Sequence, residues 1–156
     1  MTPPEVTPGE LFSRHDPEIL AALRRSTVGI AGAGGLGSNV AVSLARAGVG
    51  RLVIADHDRV EASNLNRQQY FVEQIGRKKV EALRENLIRV NPFADYVLHD
   101  VWITAADVER IFGGADVLVE AFDRAEAKQM LIDAWLTLHA DRPIVTHCYK
   151  GGRSLE

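Results

Sequence analysis

The chain has 156 residues, 46% hydrophobic, 25% charged and 6% aromatic, with a formal net charge of −3 at pH 7. At ~150 residues per domain this is one domain, long enough to bury its own core, and its acidic balance gives no support to nucleic-acid binding through a generally basic surface. A single cysteine, Cys148, excludes an internal disulfide and any multi-cysteine zinc site. No apolar run approaches the ~18 residues of a membrane-spanning helix. Met1-Thr2-Pro3-Pro4-Glu5 has none of the features of a signal peptide, so the expectation is a cytoplasmic chain.

Residues 1–13 contain three prolines and little periodicity and read as a flexible or draped arm. Asp16-Pro17-Glu18 then has the order of a helix start, with Asp as N-cap, Pro in the first turn and an acid behind it. From Val28 onward, strand and helix patterns alternate. Val28-Gly29-Ile30-Ala31 suits a buried strand, and residues 32–37 form a glycine-rich turn. A helix follows to Ala47 with Val40, Leu44 and Ala47 on one face, ended by Gly48 and Gly50. Leu52-Val53-Ile54-Ala55 is a second buried strand ending at Asp56. Residues 57–74 are polar and irregular, and a helix is expected from Gly76 to Val90, where Asn91-Pro92 stops it. A strand over 96–103, a short helix over 105–112, a strand at 117–119, a helix over 125–139 and a strand from Ile144 complete the order. This alternation predicts a doubly wound, mainly parallel sheet with helices on both faces, a Rossmann-like α/β fold. The domain is expected over 14–150, with 151–156 a tail resembling a vector remnant.

Three sets of residues carry chemistry. Gly32-Ala33-Gly34-Gly35-Leu36-Gly37 fits G-x-G-x-x-G directly between a strand and a helix, the context in which such a turn holds phosphate against helix N–H groups. Asp56, 19 residues after Gly37 at the end of the next strand, is placed to hold a ribose hydroxyl. Taken alone, this pair favours a dinucleotide. Segment 63–90 carries six basic residues (Arg67, Arg77, Lys78, Lys79, Arg84, Arg89) against three acids, which suits a triphosphate, or else a solvated helix face. Asp123 follows the fourth strand, and Asp123-Arg124-Ala125-Glu126 also has capping-box spacing, so a metal role and an N-cap role both fit it. Cys148 stands next to His147, but strand neighbours point to opposite faces, and a lone cysteine there reads as a buried residue.

The glycine turn, the run Asp56-His57-Asp58 through Ser63-Asn64-Leu65-Asn66-Arg67-Gln68, then Gly76-Arg77-Lys78-Lys79-Val80-Glu81, and the terminal Asp123 together resemble the ThiF/MoeB/HesA family, bacterial relatives of ubiquitin-activating enzymes. The stretches Asn64-Leu65-Asn66-Arg67-Gln68-Gln69-Tyr70-Phe71 and Val119-Glu120-Ala121-Phe122-Asp123 make it resemble most the short ThiF-like sulfur-carrier adenylyltransferases. The resemblance spans about Arg14 to Ile144 and implies an ATP-dependent enzyme that adenylates the C-terminal Gly-Gly carboxylate of a small ubiquitin-like sulfur carrier, ThiS-like and feeding thiamine biosynthesis. It implies that Gly32, Gly34, Gly35 and Gly37 pack against the nucleotide and that Asp56 holds the ribose. Asn64, Arg67 and Lys79 contact phosphates, and Asp123 binds Mg²⁺. It implies a homodimer in which Arg14, in the run Phe12-Ser13-Arg14-His15, reaches the partner's phosphates. Relatives often carry Asp-Asn where this chain has Asp123-Arg124. The family's paired CxxC motifs are missing, so no zinc is expected, and the sheet is expected to lack the family's later C-terminal strands. A nicotinamide-dependent oxidoreductase accounts for the glycines and Asp56 but leaves Arg67, Lys79 and Asp123 unused, and a non-catalytic nucleotide-binding relative is the third reading.

Overall fold

The computed structural model describes residues 5–147. Cys148 and the tail 151–156 lie outside these residues. Five strands form one parallel sheet in the order β3-β2-β1-β4-β5. They are β1 (Thr27–Ala31), β2 (Arg51–Asp56), β3 (Asp95–Asp100), β4 (Val117–Glu120) and β5 (Ile144–Val145). The helices are α1 (Pro8–Leu11), α2 (Pro17–Arg25), α3 (Gly35–Ala47), α4 (Lys79–Val90), α5 (Asp107–Phe112) and α6 (Ala125–Leu138). Chain order runs outward from β1 to β3, then returns to β4 beside β1. The C-terminal ends of β1 and β4 therefore flank the point where the winding reverses, which is where open α/β sheets bind ligands.

The sheet is buried on both faces because alternate strand residues serve opposite cores. Ile30, Leu52 and Ile54 point to one side, packed with Leu83 and Leu87 of α4 and with Ala41 and Ala45 of α3. Ala31, Val53 and Ala55 point to the other, against Phe112 of α5 and Leu131 and Trp135 of α6. In the register, Ile30 stands opposite Ile54 and Val119, so the three central strands end level with one another.

Differences from the expected elements lie mainly at their ends. Asp16 caps α2 as expected, its Oδ1 accepting from the N–H groups of Glu18 and Ile19. The arm carries one helical turn, α1, closed by a reciprocal Thr7–Glu10 capping box, and it buries Phe12. The helix expected from Gly76 begins at Lys79, because backbone pairing holds the preceding residues outside it: Val60 N–H donates to Arg77 O at 2.9 Å and Gly76 N–H to Val60 O at 2.8 Å. The strand expected over 96–103 ends at Asp100.

Candidate nucleotide site

The glycine turn leaves β1 and enters α3 beside the end of β4. Its four glycines serve different ends. Gly32 has φ +103°, and a Cβ there would stand 2.8 Å from Ala121 O. A Cβ on Gly37 would overlap the carbonyl oxygen of Gly32 and approach its carbonyl carbon to 2.7 Å. These two are required by the fold. Gly34 and Gly35 are not. The nearest atom to a Cβ on Gly34 is Gln68 Nε2 at 3.8 Å, and on Gly35 it is Arg67 Cγ at 3.6 Å, both ordinary contacts. Neither has a positive φ. Their missing side chains leave space directly in front of α3, whose N-cap Gly34 supplies no side-chain hydrogen bond. Uncapped N–H groups at a 13-residue helix, open to close approach, suit an anion.

Charged and polar side chains surround this opening. Asp56, half-buried at the end of β2, fastens the turn: its Oδ2 accepts from Ala33 N–H at 2.7 Å and its Oδ1 from Asp58 N–H at 2.7 Å. A carboxylate has about four acceptor sites, so both bonds leave room for a ribose hydroxyl. Asp58 Oδ2 holds Lys79 Nζ at 2.9 Å. Lys79 is the first residue of α4 and only 5% exposed, which the sequence pattern did not reveal. A cation at a helix N-terminus opposes the helix dipole, and Asp58 offsets it. Arg67 lies along the glycine turn, its stem against the Gly35 position and its Nη1 donating to Ser63 O and Asn66 Oδ1 at 3.1 and 2.9 Å. Asn64 is buried, and its Oδ1 accepts from Glu61 N–H at 3.0 Å to close a short turn ahead of Arg67. Tyr70, also buried, donates its hydroxyl to Ala33 O at 2.7 Å. Burial, reinforced by the charges of Asp56 and Asp58, pushes its phenol far above the ordinary value, so it stays a hydrogen-bond donor.

The fourth side is the turn after β4. Glu120 is fully buried and accepts from Lys128 Nζ at 2.9 and 3.0 Å and from Phe122 N–H at 2.6 Å. His147 Nδ1 lies 3.3 Å from the same ammonium. This cluster fixes the turn that presents Asp123. Asp123 itself is exposed and does not cap α6: the N-cap is Arg124, with φ −94° and ψ 130°, and no side-chain bond is made there. The capping-box reading of Asp123 is therefore incorrect, because the helix begins one residue later than that spacing requires.

The glycine turn, Asp56 and Asp123 thus follow the C-terminal ends of β1, β2 and β4, with Arg67 packed against the turn, Asn64 three residues before Arg67, and Lys79 tied to Asp58. Arg14 does not join them within a single chain. Its neighbour Phe12 packs 3.2 Å from a Cβ built on Gly48, at the opposite end of α3, about 20 Å along the helix from the glycine turn. Asp58, Gln68, Tyr70 and Glu120 stand in the motifs that carry the resemblance, but the sequence alone assigns them no role of their own. The side-chain oxygen of Gln68 is the one buried side-chain polar atom without a partner among the described residues. Beside Gly34, it is an orphan of the kind left where a ligand or water completes a site.

A parallel sheet with an open glycine turn at its reversal point defines a Rossmann-like α/β fold. Residues 10–148 match the ThiF family, and the chain belongs to that family. It is 40% identical over 117 residues to ubiquitin-like modifier-activating enzyme 5 of Caenorhabditis elegans, covering 68% of this chain and 28% of that protein. It is 35% identical over 118 residues to tRNA threonylcarbamoyladenosine dehydratase of Bacillus subtilis, covering 72% of this chain and 46% of the relative. Among solved structures, the E. coli tRNA N6-threonylcarbamoyladenosine dehydratase TcdA in complex with ATP superposes with a TM-score of 0.84 at 27% identity, over 94% of this chain and 60% of that one. The chain thus spans about a quarter to a half of these curated relatives. No helix among the described residues is long and apolar enough to cross a membrane.

Proposed function

We propose that this chain binds ATP at the glycine turn and transfers its adenylyl group to the C-terminal Gly-Gly carboxylate of a small ubiquitin-like, ThiS-like sulfur carrier. The observation that carries this reading is the space at Gly34 and Gly35, two glycines whose missing side chains the fold does not require, with Gln68 and Arg67 the nearest side chains to it. The likeness to a TcdA structure in complex with ATP supports it.

The attacking carboxylate is already ionised near pH 7, so no general base is needed. One of its oxygens attacks the α-phosphorus, the bond from that phosphorus to the bridging oxygen breaks, and pyrophosphate leaves with the electron pair. What the chain supplies is orientation and positive charge. The α3 N–H groups face the phosphates. Arg67 offers a planar fork of donors along them, and Lys79 a point charge. Its three ammonium hydrogens allow Lys79 to keep Asp58 while also donating to a phosphate oxygen. Asn64 orients the segment carrying Arg67, and Asp56 takes the ribose. Asp123 is an exposed carboxylate free of capping duty, an oxygen donor of the kind Mg²⁺ takes alongside phosphates. Bound Mg²⁺ would neutralise phosphate charge. In a homodimer, as the family resemblance implies, Arg14 would reach the opening of the partner copy.

The test is ATP–pyrophosphate exchange. Exchange that appears only with a carrier ending in Gly-Gly, and that is lost when its last glycine is removed, is the expected result. The likeness to TcdA and to the B. subtilis enzyme favours a second reading, in which the substrate is threonylcarbamoyladenosine on tRNA. ATP consumption stimulated by such tRNA, with no carrier-dependent exchange, would replace the first reading with the second.

A further inference from the structure

We propose that Asn39 and Gln69 form a positioning pair that holds Arg67 over the glycine turn and sets the rate of adenylyl transfer. This rests on the reading of Arg67 as a phosphate ligand.

Asn39 lies in the second turn of α3, four residues after Gly35. Asparagine is a poor helix former, so helix propensity does not explain it. Its amide is nearly saturated. Nδ2 donates to Gly35 O at 2.5 Å and to Arg67 O at 2.9 Å, while Oδ1 accepts from Gln69 Nε2 at 2.7 Å. One side chain therefore joins the glycine turn to the backbone of Arg67 and to the side chain two residues beyond. Only a carboxamide can do this, because the site needs two N–H donors and one acceptor on the same group.

Gln69 is held from further directions. Its N–H donates to Ser38 Oγ at 3.1 Å, and Ser38 Oγ in turn donates to Gly34 O at 2.6 Å. Its carbonyl accepts from Asn86 Nδ2 at 2.8 Å, and Asn86 is bonded to the buried Gln74. Asn86 lies two turns along α4 from Lys79. The segment 67–69 is thus clamped between the helix that begins at the phosphate turn and the helix that begins at Lys79. Among the described residues, the Arg67 head is tied only to its own segment, through Ser63 O and Asn66 Oδ1. Its position relative to the glycine turn is set by the backbone that Asn39 and Gln69 hold. A shift of ~1 Å in a charge-stabilising group can cost on the order of a hundredfold in rate.

The experiment compares Asn39→Ala, Asn39→Asp and Gln69→Ala, each alone and in an Arg67→Lys background, by pyrophosphate exchange with a Gly-Gly carrier and by ¹⁵N relaxation of the Arg67 Nε–Hε group. Asn39→Ala favours the helix, so folding is retained. The expected result is a roughly tenfold fall in kcat with an unchanged KM for the carrier. Asn39→Asp, which keeps the size but loses the donors, should match it. Less than a twofold effect is expected once Arg67 is lysine, and the Arg67 group should become more mobile in both Asn39 variants. An unchanged kcat, or equal losses in both backgrounds, would overturn the proposal. So would unchanged Arg67 relaxation in Asn39→Ala, a readout that needs no turnover. Exchange missing from the unsubstituted chain would count against carrier adenylation alone, and the relaxation measurement would still decide the positioning role.

Discussion

Replacing the glycines of the turn one at a time separates what the fold needs from what a ligand needs. Gly37→Ala places a methyl group on the Gly32 carbonyl, and neither backbone can retreat without opening the turn. Overpacking of this kind costs on the order of 3 kcal/mol, about 6–12 °C in Tm for a chain of this size. Gly35→Ala meets nothing closer than 3.6 Å and has no positive φ to strain. At the start of α3 it should stabilise by about 0.5–1 kcal/mol, mainly by restricting the unfolded chain. The same methyl group stands where phosphate would approach the backbone, and should weaken ATP binding at least tenfold, about 1.4 kcal/mol. Thermal melts and titration calorimetry with ATP read the two effects separately. The reasoning is refuted if Gly35→Ala lowers Tm as Gly37→Ala does, or if its ATP affinity equals that of the unsubstituted chain.

Three further outcomes follow from packing and charge. Trp135, fully buried between α6 and the sheet, should cost about 3–5 kcal/mol as Trp135→Ala in urea melts. Lys128→Met leaves the buried Glu120 carboxylate without its cation and should cost about 3 kcal/mol, with Glu120→Gln in the same chain recovering part of the loss. Burial of the β3 residue His99, with the Arg110 charge, lowers its imidazole from 6.5. The unfolded chain therefore binds this proton more readily, and stability should fall as pH drops below about 6.5. His99→Gln should flatten that part of the profile.

Much of the fold was legible because its signals are local. The strand, the glycine spacing and the amphipathic run that follows lie within twenty residues, and the alternation of elements limits the sheet to few topologies. The identities of Asp56, Arg67 and Lys79 were equally readable, but their surroundings were not. The sequence left Lys79 open between a phosphate-facing cation and a solvated helix face; the pairing of 58–60 with 76–79 sets the helix start at Lys79 and buries it against Asp58. Tyr70 reaches Ala33 across 37 positions, and Glu120 is satisfied by a lysine one helix later. Such pairings carry no periodic signal. Asp123 shows the opposite failure: a local pattern predicted a cap, but the extended backbone at Arg124 left the aspartate outside the helix.

On the proposed reading, a bound ATP is activated at this opening with Arg67 beside its phosphates. The most direct measurement is carrier-dependent ATP–pyrophosphate exchange by Arg67→Ala beside the unsubstituted chain, with Tm recorded for both. Exchange in the unsubstituted chain, and its loss by a hundredfold or more in Arg67→Ala at unchanged Tm, is the predicted result. Equal exchange by the two proteins would contradict the account.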